Sequence, residues 1–311
     1  MTQTHTDCLQ PRPNFFLAGG PKCGTTALSA YLRDHPHIFF SDPKEPEFFG
    51  HDLPKHDGQD WRMELEAYLS LFSGVNDSHH AVGEGSVMYM YSHTAIPAIR
   101  AFAPQARLLT ILRNPIELAY SFHNHLCFVF IEDQLDFETA WNLQDIRKSG
   151  KRIPKGSLKP QYLQYAEVAN QGHQLARLLD IFPRDQVFIG LYDDFRADPR
   201  GFYLRVLEFL GVPDDQRQTF PHENTKLHHR SRAFSQLRRA LPKPLQSVLR
   251  NTLSHLSAMS FCHRLGSLNT VRRERAPLSY VFRRRLANYF EPDVALSSGI
   301  IQRDLSHWLD L

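Results

Sequence analysis

Residues 14–33 read NFFLAGGPKCGTTALSAYLR, a pattern that indicates a strand, a glycine turn and a helix. The apolar run at the start ends in glycine, which is typical of a buried strand. The apolar residues after the turn recur at helical spacing: Ala27, Leu28, Tyr31 and Leu32. Threonines begin this helix directly after the glycines, so its first backbone N–H groups face the turn. We therefore predict an anion-binding loop at residues 20–26.

Two further apolar runs predict strands that lead into helices. Residues 107–112 precede Asn114 and Pro115, a good N-cap and a good first helical residue. Residues 186–191 precede a helix that should end at the glycine stop Gly211. Strands that alternate with helices predict an α/β fold, with a central, mostly parallel sheet flanked by helices. Such sheets bind ligands at the carboxyl ends of their strands, where we expect both the loop and the residues after 112.

The composition is that of a globular chain with room for one large α/β domain. Of its 311 residues, 42% are hydrophobic and 22% are charged. No apolar run approaches the roughly 18 residues that a bilayer span needs, so we predict no transmembrane segment. The polar N-terminus lacks the pattern of a signal peptide and is interpreted as a frayed tail.

Cysteine and histidine usage argues against a metal or disulfide scaffold. The four cysteines, Cys8, Cys23, Cys127 and Cys262, contain no CxxC pair, which favours a reducing compartment. Seventeen histidines include adjacent pairs, but none has a carboxylate or cysteine partner at metal-binding spacing. We predict a cytoplasmic protein without a metal site.

Positive charge is concentrated in one late segment. The net charge is only +3, but residues 226–275 contain eleven Lys or Arg and a single acid, Glu274. Two interpretations stay open: a solvated helical face, or a surface that meets a polyanionic cofactor, an acceptor or a membrane. We expect no nucleic-acid partner. Residues 40–60 and the basic, proline-interrupted residues 145–160 are predicted to be loops, the second at the surface.

The anion-binding loop is not the P-loop of kinases. A Walker A sequence places its lysine after the last glycine, whereas Lys22 precedes Gly24. No acidic strand end is evident to hold magnesium. Lys22 instead adds a mobile positive charge beside the backbone N–H groups.

Several segments resemble the sulfotransferases that use 3′-phosphoadenosine-5′-phosphosulfate (PAPS). Pro-Lys-x-Gly-Thr-Thr before a helix resembles their 5′-phosphosulfate loop, and Arg113-Asn-Pro with Ser121 eight residues on is similar to their 3′-phosphate motif. Residues 192–213 and 283–309 are similar to later family segments. The resemblance spans roughly residues 14–309 and is strongest to bacterial relatives of the heparan-type sulfotransferases.

The resemblance implies a fold, a domain plan and a reaction. The fold is a P-loop-like three-layer sandwich. Residues 1–13 would form a disordered tail and residues 14–311 a single domain, with a basic insertion at about 221–276. The reaction is metal-independent transfer of a sulfuryl group to a hydroxyl or amine of a carbohydrate or small molecule, which releases 3′-phosphoadenosine-5′-phosphate (PAP).

The donor carries two anionic clusters, so it needs two cationic sets. An arginine fork suits the 3′-phosphate, although Arg113 could also cap a helix and Ser121 could simply fill a helix face. The resemblance assigns three groups of donor-binding residues: Lys22, Cys23, Gly24, Thr25 and Thr26 at the 5′-phosphosulfate, Arg113 and Ser121 at the 3′-phosphate, and Arg230, Ser231 and Arg232 on a late basic loop. Lys22 also has a catalytic role, because it offsets charge on the leaving oxygen. Lys22 and the helix start should both lower the pKa of the Cys23 thiol.

Glu45 is the candidate general base. Pro46 biases it towards an extended conformation on a stiff loop, and heparan-type relatives use the glutamate at the matching position. The sequence departs from that pattern twice, because Glu47 stands where many relatives have histidine and Gly85 stands where some have lysine. Lys44 is a candidate to compensate.

Two alternatives to the transferase stay open. One is a P-loop nucleotide kinase that uses magnesium and ATP, and the other is a non-catalytic PAP or PAPS sensor. His123 and His125 are candidates to line an acceptor pocket. The sequence leaves the acceptor and the oligomeric state undecided.

Overall fold

The computed structural model describes residues 11–53, 63–155, 157, 159–221 and 276–311, and the backbone of two short strands. The chain divides into two units, Met1–Glu223 with Ser279–Leu311 and Asn224–Leu278. In the second unit, the described secondary structure is an antiparallel pair, Leu227–His229 with Thr270–Arg272. The domain plan expected from the sequence stays a prediction.

A five-stranded sheet organises the first unit. Its strands run β2-β3-β1-β4-β5 across the sheet, and all neighbouring strands are parallel. They are β1 (Phe15–Gly19), β2 (Ile38–Phe40), β3 (Ala81–Glu84), β4 (Arg107–Leu112) and β5 (Val187–Leu191). The predicted parallel α/β sheet is therefore confirmed.

Helices connect and cover these strands. They are α1 (Thr25–Arg33), α2 (Leu65–Ser70), α3 (Ala95–Phe102), α4 (Pro115–Phe128), α5 (Phe137–Asn142), α6 (Gln144–Lys148), α7 (Tyr165–Ala169), α8 (Gln171–Ile181), α9 (Tyr192–Ala197), α10 (Pro199–Leu210) and α11 (Tyr280–Ile301). Short 3₁₀ helices lie at Pro160–Leu163, Arg184–Gln186 and Ser306–Leu309. Within the described residues, none of these helices is both long and apolar enough to cross a membrane.

The central strand is buried along its whole length. All five residues of β1 are buried, because β3 pairs with one of its edges, β4 pairs with the other and helices cover its faces. Phe15 lies opposite Gly83, where an added Cβ would come within 2.6 Å of the phenyl ring. The ring of Phe15 thus occupies the space that a side chain on β3 would need, and this close fit fixes the register of the two strands.

Strand β5 has a partner on one side only among the described strands. A cavity of about 400 Å³ is lined in part by residues of β5. Charged and aromatic side chains from the neighbouring turns and helices line this cavity: Arg184, Asp185, Phe188, Asp194, Arg205 and Phe209. Charges of both signs therefore lie beside β5 in this cavity.

The segment predicted as a surface loop at residues 145–160 is partly interior. Arg147 is 3% exposed and Lys159 is 2% exposed. Each has a carboxylate partner that makes burial tolerable, Glu132 for Arg147 and Glu47 for Lys159. The surface prediction fails at these two residues because their partners lie 15 and 112 residues away in sequence.

The pair Arg147–Glu132 ties the loop after α4 to α6. The guanidinium binds both carboxylate oxygens of Glu132, at 2.5 and 2.8 Å. The hydroxyl of Tyr165 and the backbone N–H of Gln134 also donate to this carboxylate. Although burial raises the pKa of Glu132, the hydrogen bonds from Arg147 and Tyr165 outweigh it and hold the pKa below its usual value.

Breaking this buried pair should destabilise the fold strongly. We expect Arg147→Met to lower the free energy of unfolding by about 3–5 kcal/mol, because it leaves the Glu132 carboxylate buried without its cation. Chemical denaturation followed by circular dichroism measures this loss. Adding Glu132→Gln should recover most of it. Lys148→Met, which removes the neighbouring but exposed pair with Glu167, is the matched control and should leave stability nearly unchanged. Equal losses of stability in Arg147→Met and Lys148→Met would contradict the assignment of Arg147–Glu132 as a stabilising buried pair.

Candidate active site

The glycine loop at residues 20–26, the predicted anion cradle, joins β1 to α1. Gly24 is the N-cap of α1, with φ at +83°, and no side chain caps its free N–H groups. An added Cβ on Gly24 would lie 2.9 Å from the ring of Phe195. The first turn of α1 contains no acidic residue. Its N–H groups and the helix dipole can therefore face an anion.

Arg113 lies directly beside this loop. Its guanidinium donates to the backbone carbonyl oxygen of Lys22 at 2.6 Å and stacks 4.6 Å above the ring centroid of Tyr192. Arg113 follows β4, and Tyr192 follows β5. The structure therefore gathers the predicted loop and the predicted 3′-phosphate arginine at the carboxyl ends of three adjacent strands.

Gln171 is a site residue that the sequence analysis missed. It is 3% exposed, and its amide oxygen accepts the backbone N–H of Arg113 at 2.9 Å. Its amide nitrogen lies 3.4 Å from the carbonyl oxygen of Ile111 and 3.7 Å from the sulfur of Cys23. An added Cβ on Gly20 would come within 2.2 Å of the same nitrogen. The side chain of Gln171 thus fills the gap between the two anion-binding segments.

The thiol of Cys23 points away from the loop opening. Cys23 is fully buried, and its sulfur lies 3.4 Å from the carbonyl oxygen of Pro21. Burial raises the pKa of this thiol to about 12, because lost hydration outweighs the charges of Arg113 and Lys22. The expected low pKa was wrong. Cys23 can contribute its backbone N–H to an anion, but not a thiolate.

The remaining donor-site candidates differ in accessibility. Thr26 is exposed, whereas Thr25 is 4% exposed and Ser121 is 3% exposed on α4. Arg113 is partly exposed, so it is the more accessible member of the predicted 3′-phosphate pair. Arg230, Ser231 and Arg232 lie outside the described residues.

Glu45 is brought next to the glycine loop by its neighbour Lys44. The ammonium of Lys44 lies 2.9 Å from a carboxylate oxygen of Glu45 and 3.5 Å from the hydroxyl oxygen of Thr25, the first residue of α1. The side chain of Glu45 is 36% exposed. A carboxylate that solvent reaches, one residue from a contact with an anion cradle, is well placed to accept a proton.

Glu47 and Gly85 are the two departures from the heparan-type pattern, and the structure explains both. The carboxylate of Glu47 binds the buried ammonium of Lys159 at 3.2 and 3.3 Å. An added Cβ on Gly85 would lie 2.9 Å from the ring of Phe40 and 3.4 Å from the side chain of Lys44. The side chain of Lys44 therefore lies in contact with the point where a side chain at position 85 would start.

Glu84 and His123 are too deeply buried to serve the acceptor. Glu84 is fully buried at the end of β3, and burial raises its pKa to about 7 although hydroxyl donors lower it. His123 is 1% exposed, and its ring packs against those of Phe137 and Tyr165. Burial lowers the pKa of His123, because it disfavours the charged imidazolium. His123 is therefore a core residue and does not line an acceptor pocket, whereas His125 is exposed.

The described part of the chain gathers no group of three or more histidine, cysteine or acidic residues that could hold a metal ion. The basic groups near the glycine loop are instead Lys22, Lys44 and Arg113. The arrangement can hold a ligand with two separated anionic groups beside a carboxylate.

Comparison with known proteins identifies relatives along most of the chain. A family model described as "Sulfotransferase domain" matches residues 12–242. The crystal structure of a sulfotransferase from Alicyclobacillus acidocaldarius matches with a TM-score of 0.70 at 28% identity, and the match covers 96% of this chain and 100% of that chain. This structural match confirms the predicted fold class.

Two curated proteins are similar in sequence. The Homo sapiens bifunctional heparan sulfate N-deacetylase/N-sulfotransferase 3 is 29% identical over 217 residues, which are 68% of this chain and 23% of the relative. The Rattus norvegicus carbohydrate sulfotransferase 15 is 31% identical over 250 residues, covering 64% of this chain and 44% of the relative. The chain thus spans less than half the length of these curated relatives.

The burial of Cys23 predicts a slow thiol. In the native protein, iodoacetamide should label Cys23 far more slowly than the partly exposed Cys127, because labelling needs a solvated thiolate. Peptide mapping by mass spectrometry measures both rates in one sample. Unfolding in urea should equalise them. Fast native labelling of Cys23 would show that its sulfur faces the loop opening.

Proposed function

The chain belongs to the sulfotransferase domain family, and from this premise we propose that it transfers a sulfuryl group from PAPS to a hydroxyl or amine and releases PAP. It would be a transferase of class EC 2.8.2.-. One observation carries the proposal. The ammonium of Lys44 contacts both the carboxylate of Glu45 and the hydroxyl of Thr25, the first residue of α1, whose N-terminal end borders the predicted anion cradle.

The donor would occupy the ends of β1 and β4. The backbone N–H groups of residues 23–26 and the ammonium of Lys22 suit the 5′-phosphosulfate. Arg113 suits the 3′-phosphate, and Ser121, which is buried on α4, is the second residue assigned to it. Binding would exchange the bond of Arg113 to the neutral Lys22 carbonyl for a bond to an ionised phosphate oxygen, which is the stronger of the two.

The reaction would be an in-line displacement at sulfur. A bond forms between the acceptor oxygen or nitrogen and sulfur, and the bond between sulfur and the bridging phosphate oxygen breaks. The acceptor proton passes to the carboxylate of Glu45. The charge that develops on the leaving oxygen of PAP is offset by Lys22 and the N–H groups of the loop.

The acceptor and the setting belong to the same proposal. Both curated relatives are named for carbohydrate chemistry, which favours a carbohydrate acceptor over a small molecule. The sulfuryl group carries less charge than a terminal phosphate, so the displacement needs no metal. The lack of a CxxC pair supports a reducing, cytoplasmic setting, and the match to a protein from Alicyclobacillus acidocaldarius supports a bacterial type.

Two measurements test the function itself. Isothermal titration with PAP should show binding that is the same with and without magnesium, whereas a kinase site would bind more tightly with the ion. Labelled PAPS offered with a panel of carbohydrate hydroxyl and amine acceptors should yield labelled product. Binding of PAP without any transfer would favour the non-catalytic sensor.

Arg113→Ala should separate the two anion sites. We expect PAP affinity to fall by about 1.5–3 kcal/mol, roughly 10- to 150-fold, because a hydrogen bond to a charged group is lost. Adenosine 5′-phosphosulfate, which lacks the 3′-phosphate, serves as the matched ligand and should lose far less. Both affinities follow from titration calorimetry. Equal losses would mean that Arg113 acts by supporting the Lys22 carbonyl rather than by binding phosphate.

Glu45→Gln should stop proton transfer while PAP still binds. We expect turnover with a hydroxyl acceptor to fall by about 10²–10⁴-fold, the usual value of general-base assistance. Steady-state transfer from labelled PAPS measures the loss. Asp42→Asn, an exposed acid on the same loop, is the control and should keep normal turnover. An amine acceptor should be run in parallel, because it can arrive deprotonated and bypass the base. Near-normal turnover of Glu45→Gln with the hydroxyl acceptor would show that Glu45 is not the general base.

A further inference from the structure

The loop that carries Glu45 is anchored by two side-chain hydroxyls from beyond β3. The backbone N–H of Glu47 donates to the hydroxyl oxygen of Ser86 at 3.0 Å. The backbone N–H of Phe49 donates to the hydroxyl oxygen of Tyr89 at 3.3 Å. Both anchors lie within four residues of Glu45, so they fix the course of the chain immediately after it.

Both hydroxyls are themselves bound to one buried carboxylate. The Ser86 hydroxyl lies 2.7 Å from one oxygen of Glu84, and the Tyr89 hydroxyl lies 2.7 Å from the other. The backbone N–H of Ser86 adds a bond of 3.1 Å. Glu84 is 0% exposed, and Ser86 and Tyr89 are each 1% exposed. Solvent therefore cannot replace any of these partners.

The carboxylate decides which way these hydrogen bonds run. A hydroxyl has one proton to give, and an ionised carboxylate can only accept. When Glu84 is ionised, the Ser86 and Tyr89 protons therefore point at it, and the lone pairs of both hydroxyls accept the loop N–H groups. A neutral amide at position 84 would place an NH₂ donor against one of these partners and leave a buried donor unmatched.

We propose that Glu84 is a positioning residue for sulfuryl transfer, which holds the Glu45 loop in its reactive position through the hydroxyls of Ser86 and Tyr89. This inference rests on the proposed function, because it gives the loop a role in the reaction. Glu84 does not touch the acceptor. Its effect passes through the two hydroxyls to the backbone of Glu47 and Phe49.

Tyr68 provides a comparison within the same cluster. Its hydroxyl also donates to Glu84, at 3.2 Å, and the residue is 0% exposed. Its ring stacks on that of Phe48, with centroids 4.2 Å apart, and Tyr68→Phe keeps this ring. Among the hydrogen bonds of the described residues, the Tyr68 hydroxyl has one to Glu84 and none to a loop N–H. Tyr68→Phe and Tyr89→Phe therefore remove the same atom from the same carboxylate, but only the second releases the loop.

The test measures turnover, PAP affinity and amide hydrogen exchange in the full chain. Tyr89→Phe and Ser86→Ala should lower kcat with a hydroxyl acceptor by about 10- to 100-fold, the scale for a misplaced catalytic group, while the Kd of PAP changes less than about twofold. Glu84→Gln should behave like them. Tyr68→Phe should keep kcat within about twofold, and Ser86→Thr, which retains the hydroxyl, should restore it.

Hydrogen exchange decides the inference even without turnover. The Glu47 amide should exchange faster in Ser86→Ala and the Phe49 amide in Tyr89→Phe, and both should do so in Glu84→Gln. Exchange in Tyr68→Phe should match the parent protein. If Tyr68→Phe and Tyr89→Phe alter exchange and kcat alike, Glu84 is only a core residue and the inference fails. A parent protein that binds no PAP and transfers nothing would instead overturn the proposed function, while the exchange pattern would still report on the anchors.

Discussion

The contact on which the site most depends is the side-chain amide of Gln171. It accepts from the backbone of Arg113 and fills the space beside Gly20, so it spaces the glycine loop from the end of β4. Gln171 is held in turn by the helix it begins, because the carboxylate of Asp293 on α11 accepts the next two backbone N–H groups of α8 at 2.9 and 3.0 Å. Helix α11 is therefore connected to the predicted anion sites through the carboxylate of Asp293 and the side-chain amide of Gln171.

This spacing links the two halves of the proposed donor site. Arg113 contacts the carbonyl oxygen of Lys22 directly, so a ligand that draws the guanidinium towards a 3′-phosphate also frees a carbonyl on the 5′ loop. In the proposed site, binding at one half would then change the loop at the other, which would couple the two anionic groups of a single ligand. Such coupling favours a molecule that carries both groups at once.

The sequence could predict what short-range patterns determine. Asn114 does cap α4 by accepting from Ile116 and Glu117, and Gly211 does end α10. Strands β2 and β3 escaped prediction because each has only three or four residues and exists through pairing with distant chain. The raised pKa of Cys23 and the buried position of Lys159 could not be predicted for the same reason. The fold determines the burial of Cys23 and brings Glu47 to Lys159 from 112 residues away. The role of Gln171 had no local signal beyond a glutamine at a helix start. The candidate base, by contrast, came from a proline-framed motif, and its assignment stays a prediction.

The edge of β5 that has no partner among the described strands bears on aggregation at high protein concentration. A strand with an open edge invites a second chain to add to the sheet, which is the first step of aggregation. Here Arg184 and Asp185 stand at the start of the strand, and Asp194 and Arg205 border the cavity along it. An incoming strand would have to strip water from charges of both signs before it gained any backbone hydrogen bond. Along the part of the sheet that the structure describes, these four side chains therefore oppose the addition of another strand to β5.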